Sequence, residues 1–148
     1  MLRSILSLIA FLVVLAGTPA NSAERPPATL YKNPQCSCCE QYASYLRRNG
    51  FTVKVVPTHD LSLIRRQAGL NVPEKLEGCH TMFIDKYVVE GHVPLKTLDK
   101  LLTERPAIRG ISLPGMPTGS PGMGGPKTEP FTIYEIGSDE EPRTYATE

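Results

Sequence analysis

Apolar residues recur along the middle of the chain with two periods, and each period predicts one type of secondary structure. Apolar stretches rich in β-branched residues predict strands, whereas spacings of three and four residues predict amphipathic helices. The predicted strands are residues 28–32, 51–56, 80–85 and 87–90. The predicted helices are residues 38–49, a segment that follows Asp60, and a segment that begins near Pro94. The order of elements is therefore β-α-β-α-β-β-α.

This order predicts a single α/β domain with a mixed sheet and a thioredoxin-like fold. The first two strands flank a helix, so we expect them to be parallel and joined by a right-handed crossover. The last two strands are joined at Asp85 and Lys86, which predicts an antiparallel hairpin. A cysteine motif lies between the first strand and the first helix, and this placement supports the thioredoxin-like fold.

The composition changes after the third predicted helix. Residues 110–126 contain six glycines and four prolines, which predicts a segment without regular structure within a long Gly/Pro/Met loop at residues 105–127. Residues 131–136 fit an edge strand, and residues 137–148 are expected to form a flexible acidic tail. The predicted metal-binding domain therefore spans residues 24–136.

The first 23 residues have the pattern of a secretory signal peptide. Arg3 is the only charged residue before Glu24, and an apolar run at residues 5–16 is followed by small residues. Cleavage is expected after Ala20 or Ala23, which predicts export to the periplasm and no membrane attachment afterwards. The alternative is an uncleaved anchor, but the apolar run is shorter than the roughly 20 residues that span a bilayer.

The charge balance excludes one class of function. The chain has 16 Lys+Arg and 15 Asp+Glu, which gives a formal net charge of +1. A nearly neutral protein lacks the electrostatic footprint of a nucleic-acid-binding domain or of one that binds an anionic membrane. We therefore expect no nucleic-acid partner.

The four cysteines are clustered in a way that favours a metal or redox site over structural disulfides. An even number of cysteines in an exported protein usually indicates disulfides. Here, however, three of the four fall within four residues, in Cys36-Ser37-Cys38-Cys39. Disulfides stabilise chiefly by closing long loops, so such clustering would contribute little.

The motif also suits copper(I) better than zinc. A helix N-terminus favours thiolate, which is both nucleophile and metal ligand. Residues 36 and 39 would share a helix face, whereas residue 38 points about 100° away. Three such thiolates do not easily complete a tetrahedral zinc shell, but copper(I) accepts two or three, and sulfur can bridge neighbouring ions.

Cys79 precedes the third strand, where thioredoxin-like domains usually have a cis-proline facing the motif. A disulfide from Cys79 to one of the other three is the alternative, and reversible disulfide formation without metal is expected.

Four further residues are weaker candidates for metal ligands. His80 should point to the opposite face of its strand from Cys79, so it would need a distorted backbone, and a supporting polar role is the alternative. His92 lies in the loop before the third helix. Met116 and Met123 each follow a Pro-Gly pair in the long loop, where a soft thioether could bind copper(I). The alternative is that they fix the loop to the protein surface.

Taken together, four separated motifs resemble the CopG-type periplasmic metal-resistance proteins. They are Cys36-Ser37-Cys38-Cys39, Gly78-Cys79-His80-Thr81, the segment at residues 87–94, and Pro114-Gly115-Met116-Pro117. The resemblance covers residues 28–126. It implies a thioredoxin-like fold, export to the periplasm, a role in copper resistance, and copper bound through the cysteines of the first two motifs.

Three functions follow from these features. The first is a copper-resistance protein that holds copper(I) through four cysteines, as a bridged cluster, with copper-efflux or copper-chaperone proteins as candidate partners. The second is a thiol-disulfide or copper oxidoreductase that uses Cys36, Cys38, Cys39 and Cys79 as redox groups. The third is a zinc-stabilised module, which is disfavoured because structural zinc sites usually pair two closely spaced cysteine couplets.

Overall fold

Seven strands form one mixed sheet, with the spatial order β2-β1-β3-β4-β5-β6-β7. The structure is a computed structural model that describes residues 24–137 and 141–148. The strands are β1 Ala28–Lys32, β2 Val53–Pro57, β3 His80–Ile84, β4 Tyr87–Gly91, β5 Gly110–Leu113, β6 Thr132–Ile136 and β7 Thr144–Thr147. The predicted α/β class with a mixed sheet is confirmed. The predicted signal peptide lies outside the described residues.

Three α-helices accompany the sheet within these residues: α1 Ser37–Arg48, α2 Leu61–Gln67 and α3 Leu95–Glu104. A short 3-10 helix, Glu74–Leu76, precedes β3. In α1 the apolar spacing predicted from the sequence forms the buried face, which consists of Cys39, Tyr42, Ala43 and Leu46. None of the described helices has both the length and the apolar character needed to cross a bilayer.

The pairing of the strands brings the loop that carries the cysteine motif close to the start of β3. β1 is parallel to β2 and antiparallel to β3, as expected for a crossover through α1 followed by a hairpin. β3 and β4 are antiparallel, and Asp85 takes the left-handed conformation, with φ 51°, in the turn that joins them. Lys32 at the end of β1 pairs with His80 at the start of β3. The loop from β1 to α1 and the start of β3 therefore lie at the same end of these two strands.

Three predictions for the C-terminal part of the chain are wrong. Residues 110–113, expected to be irregular, form β5, which is parallel to β4 and antiparallel to β6. Ile111 and Leu113 are buried there, so core packing stabilises a strand too short to recognise beside the Gly/Pro segment. Residues 144–147, expected to lie in a flexible tail, form β7. Because β7 pairs with β6, residues 132–136 are not at the edge of the sheet.

The face of α2 that its apolar spacing predicts is only partly buried. Leu61, Ile64 and Ala68 carry that spacing, but Ala68 is exposed. The residue of α2 that is buried is Arg65, because its guanidinium reaches the carboxylate of Glu90 on β4. Arg65 shares a helix face with Leu61, four residues earlier, so the ion pair adds to the face that the apolar spacing predicts.

Candidate metal centre

The four cysteines meet where α1 begins and β3 begins. The Cys36 Sγ lies 3.4 Å from the Cys38 Sγ, and the Cys39 Sγ lies 3.4 Å from the Cys79 Sγ. Their four sulfur atoms all lie within 4.8 Å of one another, and we call them the four-sulfur group. Cys36 precedes α1 and its sulfur accepts a hydrogen bond from the Cys39 N–H, so the cysteine itself caps the helix.

One pair within the group is joined. Cys36 and Cys39 form a disulfide, and Cys38 and Cys79 are free thiols. The disulfides expected from the sequence all involve Cys79, whereas this one joins the first and last cysteines of the motif, which have Cys-x-x-Cys spacing. Residues 36 and 39 are three apart at a helix start, which places their side chains on the same face. The structure therefore holds two free thiols beside a disulfide that can be reduced.

Two glycines bring Cys79 beside His92. A Cβ added to Gly78 would lie 2.2 Å from the Gly91 backbone nitrogen, so the two backbone segments touch at a distance only glycine permits. Gly91 also has φ 73°, which a side chain would strain. The residues that follow these glycines then meet, with the Cys79 Sγ 3.1 Å from the His92 Nε2.

His80 lies in the site, contrary to the expectation that it points away from Cys79. It is fully buried, and its Nδ1 is 3.8 Å from the Cys79 Sγ. The rings of His80 and His92 both pack on Tyr42, with centroids 4.9 Å and 5.0 Å away. The ligand atoms of Cys39, Cys79, His80 and His92 lie within 4.8 Å of one another, and we call these residues the mixed group.

The nitrogen atoms of this group suit a metal ion. Within the described part of the chain, the buried Nε2 of His80 has no hydrogen-bond partner. A buried polar atom of this kind is rare in folded proteins, and an ion is one of its ordinary explanations. Neutral imidazole and thiolate are ligands that copper(I) accepts. The residues present therefore fit a soft metal ion.

Burial sets the protonation of the site. It lowers the pKa of His80 to about 3, with smaller contributions from His92 and Arg65. It also lowers the pKa of His92, although the Pro121 carbonyl acts in the opposite direction. Burial, followed by the nearby Cys38, raises the pKa of the Cys79 thiol to about 12. Both imidazoles are thus neutral at pH 7, whereas Cys79 keeps its proton until a cation compensates for burial.

The Gly/Pro loop after β5 contacts the site through its backbone. Met116 is 41% exposed and has φ 47°, and Met123 is partly buried. The contacts that the structure describes come from the stretch of loop between these two methionines. The Pro121 carbonyl lies 2.6 Å from the His92 Nδ1, and Gly122 packs on α1. Sequence reasoning missed Pro121 and Gly122, because nothing local to residues 120–123 indicates a contact with His92.

Comparisons with known proteins agree with a copper-related site. A family described as a protein of unknown function, DUF411, matches residues 76–123, which include Cys79 and both histidines. Two solved structures, named as forms 1 and 2 of the copper resistance protein copG, are each 32% identical to this chain with a TM-score of 0.74. Each match covers 84% of this chain, and 99% of the form 2 chain and 98% of the form 1 chain. No curated protein matches the sequence.

Proposed function

Because this chain belongs to the CopG family of copper-resistance proteins, we propose that it binds copper(I) in the periplasm through Cys36, Cys38, Cys39 and Cys79. The observation that carries this proposal is the convergence of four sulfur atoms within 4.8 Å of one another. Thiolate sulfur selects copper(I) over harder cations. His80 and His92 extend the ligand set, because the mixed group shares Cys39 and Cys79 with the four-sulfur group.

The overlap of the two groups supports a bridged cluster of copper ions. A single ion would use three or four of the six candidate side chains, whereas thiolate sulfur can bridge neighbouring copper(I) ions. Cys39 and Cys79 belong to both groups, so they are the residues positioned to bridge. Reduction of the Cys36–Cys39 disulfide must precede binding, because a disulfide sulfur carries no thiolate charge.

The proposal includes a compartment and a fold family. The apolar run at residues 5–16 supports export to the periplasm. The parallel pair β1 and β2 around α1, followed by the antiparallel hairpin β3–β4, supports a thioredoxin-like arrangement. In that compartment the protein would hold copper(I) and exchange it with copper-efflux or copper-chaperone proteins.

Anaerobic titration of the reduced protein with copper(I), in competition with a chromogenic copper(I) chelator, tests the proposal. We expect more than one copper ion per chain at saturation and no retention by a variant with all four cysteines changed to serine. Leu63→Ala, at an exposed position on α2, is the control and should bind normally. Saturation at one ion per chain would refute the cluster, and full retention by the serine variant would refute the site.

The Cys36–Cys39 disulfide favours a second candidate function, a copper or thiol oxidoreductase. Oxidation of the two thiols to the disulfide releases two electrons and two protons, and two copper(II) ions can accept the electrons to give two copper(I) ions. The disulfide lies at the start of α1, where the helix N-terminus stabilises thiolate. Copper(II) reduction by the reduced protein, followed with the same chelator, tests this function. A reduced protein that reduces neither copper(II) nor insulin would exclude the oxidoreductase function.

A further inference from the structure

One turn of the Gly/Pro loop contacts both His92 and helix α1, which carries Cys38 and Cys39. Ser120, Pro121, Gly122 and Met123 form this turn, in which the Met123 N–H donates to the Ser120 carbonyl at 2.9 Å. Proline at the second position and glycine with φ 83° at the third are typical of a type II turn. The internal hydrogen bond uses the Ser120 oxygen, so the Pro121 carbonyl is available to another partner.

That partner is His92. The Pro121 oxygen lies 2.6 Å from the His92 Nδ1. A carbonyl oxygen can only accept, so the hydrogen bond requires a proton on Nδ1. In the neutral imidazole the Nε2 then carries the lone pair, and Nε2 is the atom that lies 3.1 Å from the Cys79 Sγ. The opposite tautomer would place a nitrogen lone pair against the carbonyl oxygen and a proton where a metal ion would bind.

Gly122 holds this carbonyl in place by packing directly on α1. A Cβ at residue 122 would lie 2.6 Å from the Tyr42 backbone nitrogen and 2.9 Å from the Cys38 carbonyl oxygen. Both atoms belong to the backbone of a helix and cannot move aside as a side chain would. The close approach therefore requires glycine.

We propose that Pro121 and Gly122 are positioning residues for the copper site: the Pro121 carbonyl fixes the tautomer and ring orientation of His92, and Gly122 fixes the Pro121 carbonyl against α1. The proposal rests on the proposed function in taking copper as the metal. Hydrogen bonds from the second nitrogen of a metal-binding histidine commonly set its orientation in this way.

Two other glycines of the same loop provide matched controls for Gly122→Ala. Gly115 has φ 79° but nothing within 4 Å of an added Cβ, so Gly115→Ala introduces backbone strain without a clash. An added Cβ at Gly124 also meets nothing within 4 Å, and no strain is expected there. Comparison of the three variants separates the contact with α1 from the general cost of an alanine in the loop.

Nitrogen-15 NMR of the histidine rings in the metal-free protein, with the Cys36–Cys39 disulfide intact, tests the proposal directly. We expect His92 to be in a single neutral tautomer protonated at Nδ1, with its signals assigned by their loss in His92→Asn. In Gly122→Ala we expect a mixture of tautomers and, after reduction, a decrease in copper(I) affinity of about 10–100-fold. Gly115→Ala and Gly124→Ala should keep the single tautomer and the affinity.

A tautomer protonated at Nε2 in the unsubstituted protein would overturn the proposal, as would an unchanged His92 spectrum in folded Gly122→Ala. Should that variant not fold, the scalar coupling between the His92 Nδ1 and the Pro121 carbonyl carbon decides in the unsubstituted protein, and its absence refutes the hydrogen bond. The tautomer is measured without copper. A protein with the expected tautomer that binds no copper would therefore contradict the proposed function and leave the positioning contact established.

Discussion

Arg65 and Glu90 form a buried ion pair that contacts the chain on both sides of Cys79. The Arg65 Nε lies 3.0 Å from the Glu90 Oε1, and the Nη2 lies 2.8 Å from the Oε2. The Glu90 carboxylate also accepts hydrogen bonds from the Gly78 N–H at 2.9 Å and the Thr81 hydroxyl at 2.7 Å. Because residues 78 and 81 flank the cysteine, the ion pair holds the backbone that presents Cys79 to the other sulfur atoms.

Removal of the Glu90 charge should destabilise the whole domain. We expect Glu90→Leu to lower the free energy of unfolding by about 3–5 kcal/mol, because Arg65 would stay buried without its main partner. Urea denaturation of the metal-free protein measures this. Glu77→Gln is the control, since Glu77 contacts Arg65 at 2.8 Å but its side chain is 37% exposed, and the expected loss there is about 0–1 kcal/mol.

The double variant Arg65→Met/Glu90→Leu distinguishes an unpaired charge from general damage. Replacement of both members of a buried pair by apolar side chains is commonly far less costly than removal of one. We therefore expect the double variant to be more stable than Glu90→Leu alone. An equal or greater loss in the double variant would show that the hydrogen bonds of Glu90 to Gly78 and Thr81 dominate instead.

Substitution of Gly78 should disturb both stability and the site. The added Cβ of Gly78→Ala would meet the Gly91 backbone nitrogen at 2.2 Å, so the start of β3 must move away from the end of β4. We expect a loss of about 1–3 kcal/mol, typical of overpacking, and weaker copper(I) binding because Cys79 and His92 separate. Thermal unfolding and chelator competition measure the two effects. Gly124→Ala should change neither, and an unchanged melting temperature in Gly78→Ala would contradict the contact.

The parts of the fold that could be predicted from the sequence depend on local patterns. The spacing of Cys39, Tyr42, Ala43 and Leu46 determines the buried face of α1 on its own, because residues three and four apart share a helix face. β5 and β7 have only four residues each. Short strands of this kind are stabilised by neighbours distant in sequence, so their own residues carry too weak a signal to predict them.

The candidate site was predicted only in part for the same reason. The expectation that Cys79 faces the cysteine motif came from the order of elements. The positions of His80 and His92 depend on the contact between Gly78 and Gly91, which strand alternation does not reveal. Burial of Arg65 likewise depends on Glu90, which is 25 residues away in sequence.

Cys79 should matter more for copper(I) binding than Cys38. The Cys79 sulfur belongs to both the four-sulfur group and the mixed group, whereas Cys38 belongs to the first only. We expect Cys79→Ser to decrease copper(I) affinity by more than the roughly 10–100-fold typical of a lost supporting contact, and Cys38→Ser to have a smaller effect. Chelator competition on the reduced variants measures both. A larger loss for Cys38→Ser would place the main binding site away from β3.

Acidification should destabilise the metal-free protein through His80. An unfolded histidine has a pKa of about 6.5, whereas burial lowers the pKa of His80 to about 3 in the folded protein. Below pH 6.5 the unfolded chain therefore binds a proton that the folded protein does not, and stability falls as the pH decreases towards 3. The expected loss from His80 is about 2 kcal/mol between pH 6.5 and 5, and His92 acts in the same direction. Urea denaturation from pH 7 to 5 should show a smaller slope in His80→Asn than in the unsubstituted protein. Leu63→Ala, at an exposed position without a titratable group, should leave the slope unchanged, and an equal slope in all three proteins would mean that His80 is not buried in its neutral form.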